Sequence, residues 1–258
     1  MIHFVGAGPG APDLITLRGH RLLCEADVII YAGSLVNPAL LDAAKEGCAI
    51  HNSACMTLEE VLAVMEQAER EQKTTVRLHT GDPSIYGALA EQLRALEERG
   101  IAYTITPGVS SFLGAAAALG AEYTLPGVSQ SVILTRLSGR TPVPAGESLP
   151  ALAAHGASLV LFLSAAQPDR AQRELLQGGY GEETPAAVVY KVSWPEERIA
   201  RCTVGTLAQT MRQMGQTGTA LVLVGGFLTG RGGRSCLYDP GFATAFRPGV
   251  GETEEGTR

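Results

Sequence analysis

The chain has 258 residues, of which 45% are hydrophobic and 18% are charged, and its net charge at pH 7 is −6. This balance excludes a disordered chain, and the length accommodates one large domain or two modest ones. Because 26 acidic residues outnumber 20 basic ones, the chain offers no basic surface for a phosphate backbone, and we expect no nucleic-acid partner.

The first half of the chain alternates β-rich runs with segments of helical period, a pattern typical of parallel strands joined by crossover helices. Thr57 and Glu60 form the signature of a capping box, and apolar residues then recur at helical spacing. We predict a strand at 2–5, a helix at 16–25, a strand at 28–31, the capped helix from 57, a strand at 75–79, a helix at 85–99 ended by Gly100, and a strand at 101–106.

A stretch containing Gly and Pro at 119–127 interrupts this pattern and is the predicted linker. It separates an N-terminal α/β domain at 1–118 from a C-terminal α/β domain at 128–250, which a flexible acidic tail at 251–258 follows. Three prolines within 141–150 predict a shaped loop there. The second domain is predicted to hold strands at 131–136, 158–163, 186–191, 199–203 and 219–224, and helices at 167–176 and 207–214.

The longest apolar runs, at 158–166 and 219–228, are about half as long as a membrane-spanning helix, so we expect no membrane segment. The N-terminus enters an apolar strand without the features of a signal peptide, which predicts a cytoplasmic protein. The five cysteines are an odd number and contain no C-x-x-C pair. We therefore expect reduced thiols and no protein-bound metal.

A glycine-rich turn, GAGPGA at 6–11, follows the first predicted strand and fits the dinucleotide-binding fingerprint. Two features argue against a bound dinucleotide. Pro9 removes one backbone donor from the turn, and the strand at 28–31 ends without the acidic residue that would hold a ribose. The turn therefore leaves three alternatives open: a purely structural bend, a redox enzyme that uses NAD or FAD, and another ligand site.

Two further turns follow predicted strands, HTGDPSIYG at 79–87 and TPGVSS at 106–111. Open α/β sheets bind ligands at the carboxyl ends of their strands, so we expect the three turns to line one pocket. Asp82 has two possible roles: to cap the next helix, or to present a carboxylate to a ligand.

The stretches VGAGPG, PDLITLRG, HTGDPSIYG and PGVSS, at this spacing, resemble the tetrapyrrole methylases, which use S-adenosylmethionine as methyl donor. SACMTLEE and AAVVYKVSWPEERI resemble the branch that methylates C-11 of precorrin-4 or cobalt-precorrin-4 in cobalamin biosynthesis. The resemblance implies the fold of that family, with two α/β domains and the active cleft between them. It also implies a small-molecule tetrapyrrole substrate and a homodimer.

The resemblance further implies which residues bind the methyl donor, motif by motif. Leu163 stands where relatives often have Met, and Val192 follows a strand without a sharp motif of its own. The donor-binding residues implied in this way are Pro9, Thr80, Gly81, Asp82, Ile85, Ser110, Ser111, Leu163 and Val192.

Methyl transfer from a sulfonium requires alignment more than a protein nucleophile, and the sequence identifies no catalytic residue. His79 and Tyr86, near the second turn, are the candidates for a base. Arg136 and Arg140 are predicted to clamp substrate carboxylates, with solvated surface arginines as the alternative. A tetrapyrrole carrier or donor sensor without turnover also remains open.

Overall fold

The structure is a computed structural model that describes residues 1–215 and 218–250. The chain divides into two compact units, and each unit is made of three separate stretches of the sequence. The domain limits expected from the sequence stay a prediction, and the acidic tail at 251–258 lies outside the described residues. The first unit contains Met1–Leu119, Val189–Ala200 and 218–221, and the second contains Gly120–Val188, Arg201–Gly215 and 222–250.

The first unit contains a five-stranded sheet in the order β3-β2-β4-β1-β5, in which every neighbouring pair is parallel. Parallel pairing agrees with the alternation of strands and helices in the sequence. The strands are β1 (Ile2–Gly6), β2 (Val28–Tyr31), β3 (Ala49–Asn52), β4 (Thr75–His79) and β5 (Tyr103–Thr106), and the helices are α1 (Leu17–Glu25), α2 (Leu58–Arg70), α3 (Leu89–Glu98) and α4 (Ser111–Leu119).

This sheet buries apolar side chains on both of its faces, as parallel sheets usually do. Val5 and Leu78 pack with Leu23 of α1 in one cluster. Phe4, the neighbour of Val5 on β1, packs with Met65 of α2 and Leu96 of α3 in the other. Because successive side chains of a strand point to opposite faces, α1 covers one face and α2 and α3 cover the other. Since helices cover both faces of the sheet, the turns lie at the ends of its strands.

The helix ends of the first unit follow local chemistry. Thr57 and Glu60 form the predicted capping box, with Glu60 N–H donating to Thr57 Oγ1 at 3.3 Å and Thr57 N–H donating to Glu60 Oε2 at 2.7 Å. The predicted start of α3 at residue 85 was wrong, because Tyr86 and Ala88 have φ angles of 54° and 48°, which an α-helix excludes. Gly100 follows α3 with φ 65°, as predicted.

A second sheet has the order β6-β7-β10-β8-β9, with β6 parallel and β10 antiparallel to β7. The sequence missed α5, because proline is tolerated in the first turn of a helix and Pro150 lies there. No helix within 1–215 and 218–250 has both the length and the apolar character needed to cross a membrane. The elements are β6 (Val132–Arg136), α5 (Leu149–Ala153), β7 (Ser158–Phe162), α6 (Pro168–Gln177), β8 (Pro185–Tyr190), β9 (Arg198–Thr203), α7 (Leu207–Met214) and β10 (Ala220–Val224).

Candidate functional site

Three glycine turns of the first unit meet at the carboxyl ends of β4, β1 and β5, which are adjacent in the sheet. Gly8 and Gly81 exchange two backbone hydrogen bonds, of 3.2 Å from Gly8 N–H and 3.0 Å from Gly81 N–H. A Cβ built on Gly108 would lie 2.1 Å from the Gly81 carbonyl oxygen, and one built on Gly6 would lie 2.5 Å from Gly108 Cα. We call these four glycines the glycine junction. Its backbones approach so closely that no side chain fits between them.

The backbone N–H groups of Ala7, Gly8 and Ala11 in the first turn are engaged by the protein. Gly8 N–H donates to the Gly81 carbonyl at 3.2 Å, Pro9 has no N–H, and Ala11 N–H donates to Ser193 Oγ at 2.9 Å. Dinucleotide sites instead direct such N–H groups at a pyrophosphate, on a helix that begins within the turn. Here the next α-helix begins only at Leu17. The turn is therefore unsuited to NAD or FAD. The structure does not support the hypothesis that this turn belongs to a redox enzyme.

Asp82 ties the second turn to the third. Its Oδ2 accepts a hydrogen bond from Gly108 N–H at 2.9 Å, and its Oδ1 accepts hydrogen bonds from the N–H and hydroxyl of Ser84 at 2.9 and 2.5 Å. Partial burial opposes ionisation, but the hydrogen bonds from Ser84 and Gly108 outweigh it and hold the pKa of Asp82 below its usual value. The carboxylate caps the turn and not α3, so the helix-cap interpretation was wrong.

The other candidates of the second and third turns surround the glycine junction. A Cβ built on Gly81 would lie 3.4 Å from Ser110 Cα and 3.5 Å from the Ser111 amide nitrogen. Ile85 is half-buried, and its N–H donates to the Asp82 carbonyl at 3.2 Å. Thr80 Oγ1 is buried and has no hydrogen-bond partner among the residues that the structure describes. A buried hydroxyl without a partner is uncommon in proteins, and Thr75 Oγ1 and His79 Nε2 share this property.

Pro9 and Val192 lie near each other although they are far apart in the sequence. A Cβ built on Gly114 of α4 would be 3.1 Å from Pro9 Cβ and 3.4 Å from Val192 Cγ2. Val192 thereby joins the candidates of the first unit. Leu163 belongs to the second unit, directly after β7, where its side chain is 67% exposed and its φ angle is 51°. Eight of the nine predicted donor residues thus lie in the first unit.

The two candidate clamps of the second unit differ in what they contact. The guanidinium of Arg136 donates to the carbonyls of Leu137, Thr141 and Pro142 at 3.3, 3.0 and 2.9 Å. Arg136 therefore holds the turn that follows β6. Arg140 is exposed and has no hydrogen bond or ion pair in the part of the chain that the structure covers. Arg140 is the better candidate for a substrate carboxylate.

His79 is too poor a base for the role considered from the sequence. Its side chain is 3% exposed and its ring centroid lies 5.9 Å from that of Phe4. Burial lowers the pKa of His79 to about 3, and the nearby Arg77 acts in the same direction. The imidazole is therefore neutral at neutral pH and binds a proton only weakly. Tyr86 is 46% exposed and stays a prediction from the sequence.

Replacing His79 with leucine is expected to reduce acid sensitivity. The unfolded chain binds a proton at His79 below pH 6.5, whereas the folded protein does so only near pH 3, so wild-type stability falls as the pH drops. From pH 7 to 5 this effect amounts to about 2 kcal/mol. Urea unfolding at both pH values measures it, with wild type as the reference. An equal loss in both proteins would contradict a buried, neutral His79.

Comparison with known proteins places the chain among methyltransferases. Residues 1–208 match the sequence model of the Tetrapyrrole (Corrin/Porphyrin) Methylases. A cobalt-precorrin-4 C(11)-methyltransferase of Methanocaldococcus jannaschii is 50% identical over 244 residues, which are 94% of each chain. The X-ray structure of a cobalt precorrin-4 methyltransferase has a TM-score of 0.86 and 46% identity, and the match covers 88% of this chain and 95% of that one.

A more distant structure carries information on the ligand. The uroporphyrin-III C-methyltransferase of Thermus thermophilus, complexed with S-adenosyl homocysteine, has a TM-score of 0.75 and 26% identity. The match covers 89% of this chain and 99% of that one. The ligand of that structure, S-adenosyl homocysteine, agrees with the methyl donor that the motifs of this chain imply.

Proposed function

The chain belongs to the tetrapyrrole methylases, and from that premise we propose that it transfers a methyl group from S-adenosylmethionine to C-11 of precorrin-4 or cobalt-precorrin-4. The product is then precorrin-5 or cobalt-precorrin-5, within cobalamin biosynthesis. The observation that carries the proposal is 50% identity to a cobalt-precorrin-4 C(11)-methyltransferase over 94% of both chains. The glycine junction and the buried, unpartnered Thr80 hydroxyl support it with a site suited to a ligand that lies against the backbone.

Bound S-adenosylmethionine supplies an activated methyl group, so the protein needs no nucleophile of its own. The new bond forms between the ring carbon and the methyl carbon as the sulfur–methyl bond breaks, and the sulfur keeps the electron pair. The task left to the chain is to hold two reactants in line, which can supply about 7 to 11 kcal/mol in favourable cases. Rigid turns such as the glycine junction are suited to that task.

Replacing Arg140 with alanine is expected to raise the KM for the macrocycle by a factor of about 1.4 to 5, because an exposed charge pair contributes about 0.2 to 1 kcal/mol. Precorrins carry several carboxylates, which a free guanidinium binds. Steady-state kinetics at saturating donor measures the KM. The matched control is Arg173→Ala, which removes an exposed arginine from α6. Equal KM values for the two variants would show that Arg140 does not contact the substrate.

The direct test is to incubate the purified protein with S-adenosylmethionine and precorrin-4, with and without cobalt. We expect a mass increase of one methyl group in the macrocycle, and NMR spectroscopy should place that group on C-11. A carrier or sensor would bind without any mass change. An oxidoreductase would instead change the absorbance of a nicotinamide or flavin. Either result would overturn the proposal.

We further propose a homodimeric assembly, which the family resemblance implies, and a cytoplasmic location. Sedimentation analysis of the full chain should give twice the monomer mass of 27.0 kDa. Cell fractionation should find the protein with the soluble fraction. A monomer at micromolar concentration, or recovery with membranes, would contradict them.

A further inference from the structure

The single tryptophan of the chain, Trp194, lies directly against the first glycine turn. Its indole Nε1–H donates a hydrogen bond to the Pro9 carbonyl oxygen at 3.2 Å. A Cβ built on Gly10 would lie 2.1 Å from Trp194 Cδ1. The indole ring thus covers the turn so closely that position 10 has no room for a side chain.

The segment that carries Trp194 has a strained backbone that the turn helps to hold. Lys191 and Ser193 have φ angles of 45° and 63°, in the left-handed region that costs energy for residues other than glycine. Ser193 Oγ accepts a hydrogen bond from Ala11 N–H at 2.9 Å, and Ser193 N–H donates to Glu197 Oε2 at 2.6 Å. Such conformations persist where surrounding contacts determine them. The segment and the turn therefore fix each other.

The ammonium group of Lys191 lies over the face of the same indole ring. Lys191 Nζ lies 4.8 Å from the centre of the Trp194 ring and 3.6 Å from the Glu196 carboxylate. A cation at this distance from a tryptophan face is attracted by the ring. The ring is thus held at its edge by the bond to Pro9 and on its face by Lys191.

We propose that Trp194 is a positioning residue for the methyl donor, which it affects by holding Pro9. The inference rests on the proposed function, which places Pro9 among the donor-binding residues. Pro9 has no N–H with which to anchor itself, so the hydrogen bonds that hold its C-terminal side are those of its own carbonyl to Trp194, of the Gly10 carbonyl to Asn37 Nδ2 and of Ala11 N–H to Ser193. A turn that is already ordered loses less entropy when a ligand binds. Removing the indole N–H should therefore weaken donor binding without disturbing the macrocycle.

The test compares Trp194→Phe with the matched variant Tyr180→Phe in the second unit. Each replacement keeps an aromatic ring and removes one donor to a carbonyl, that of Pro9 or that of Ala157. Calorimetry with S-adenosylhomocysteine gives the donor-site Kd, and thermal unfolding gives the stability of each protein. We expect Trp194→Phe to raise the Kd about three- to ten-fold, the equivalent of one neutral hydrogen bond. Tyr180→Phe should leave the Kd unchanged even where it lowers the Tm.

A further measurement separates positioning from general stability. The KM for the macrocycle should be the same in Trp194→Phe and wild type, because a folding defect would affect both ligands. If Trp194→Phe does not fold, Ser193→Ala removes the Ala11 anchor and is expected to raise the Kd in the same way.

Equal Kd values for wild type and Trp194→Phe would overturn the positioning role alone. A wild-type protein that does not bind S-adenosylhomocysteine would overturn the proposed function, and this inference with it. The two failures are therefore distinguishable.

Discussion

Gly108→Ala is expected to reduce methyl transfer about 100-fold or more. The added Cβ would lie 2.1 Å from the Gly81 carbonyl oxygen and 2.7 Å from Gly6 Cα, both of them backbone atoms that cannot rotate away. The turns would have to separate, and a misplacement of about 1 Å in a binding site can cost a factor of about 100 in rate. Overpacking of this kind also costs about 1 to 3 kcal/mol of stability.

Single-turnover kinetics at saturating substrate measures the effect of Gly108→Ala on the chemical step, and thermal unfolding shows whether the protein still folds. Gly146→Ala is the control, because a Cβ on Gly146 meets no atom within 4 Å among the residues that the structure describes. It adds the same methyl group to open space. A Gly108→Ala enzyme that reacts as fast as Gly146→Ala would remove the glycine junction from the proposed site.

Asp82→Ala is expected to weaken donor binding about ten- to 100-fold. The change leaves the partly buried Gly108 N–H without its acceptor, and an unsatisfied buried donor costs about 1 to 3 kcal/mol, whereas the exposed Ser84 groups can bond to water. The second and third turns would then no longer be tied together. Calorimetry with S-adenosylhomocysteine measures the Kd, and Asp42→Ala is the control because it removes an exposed carboxylate of the same unit. Equal affinities would exclude Asp82 from the site.

The pH dependence of donor binding follows from the direction of the Asp82 shift. Because its pKa is lowered from 3.8, the carboxylate is ionised throughout the neutral range, and the tie between the turns is present above that value. It is lost only as the pH falls through the lowered pKa. In wild type, the affinity for S-adenosylhomocysteine should therefore show no step from Asp82 between pH 8 and 5, a range of about three units.

Local sequence patterns correctly predicted the strands and helices that depend mainly on interactions between residues close in the sequence. β2, β4 and α7 have the predicted limits, and the capping box at Thr57 formed as expected. β3 was missed because Ala49–Asn52 lies at the edge of its sheet, is mostly exposed and shows no apolar alternation. Its strand conformation depends on pairing with β2, which no local signal encodes.

The roles of single polar residues depended on partners that the sequence does not place beside them. Asp82 was considered a cap or a ligand acceptor, but its carboxylate bonds to Gly108, 26 residues away. Arg136 was predicted to clamp a substrate, and in the structure its Nη1 and Nη2 donate to three carbonyls of its own turn. A side chain forms the hydrogen bonds that folding brings within reach, and residue type alone does not specify them.

Turn chemistry and strand periodicity act over a few residues, so local patterns were sufficient to predict three glycine turns after strands of one parallel sheet. Local patterns could not show that Trp194 covers Pro9, which lies 185 residues earlier in the chain. Nor could they show that Val192 packs near the same turn. Sheet order and side-chain packing bring these segments together, and both depend on the burial of surfaces from distant parts of the chain.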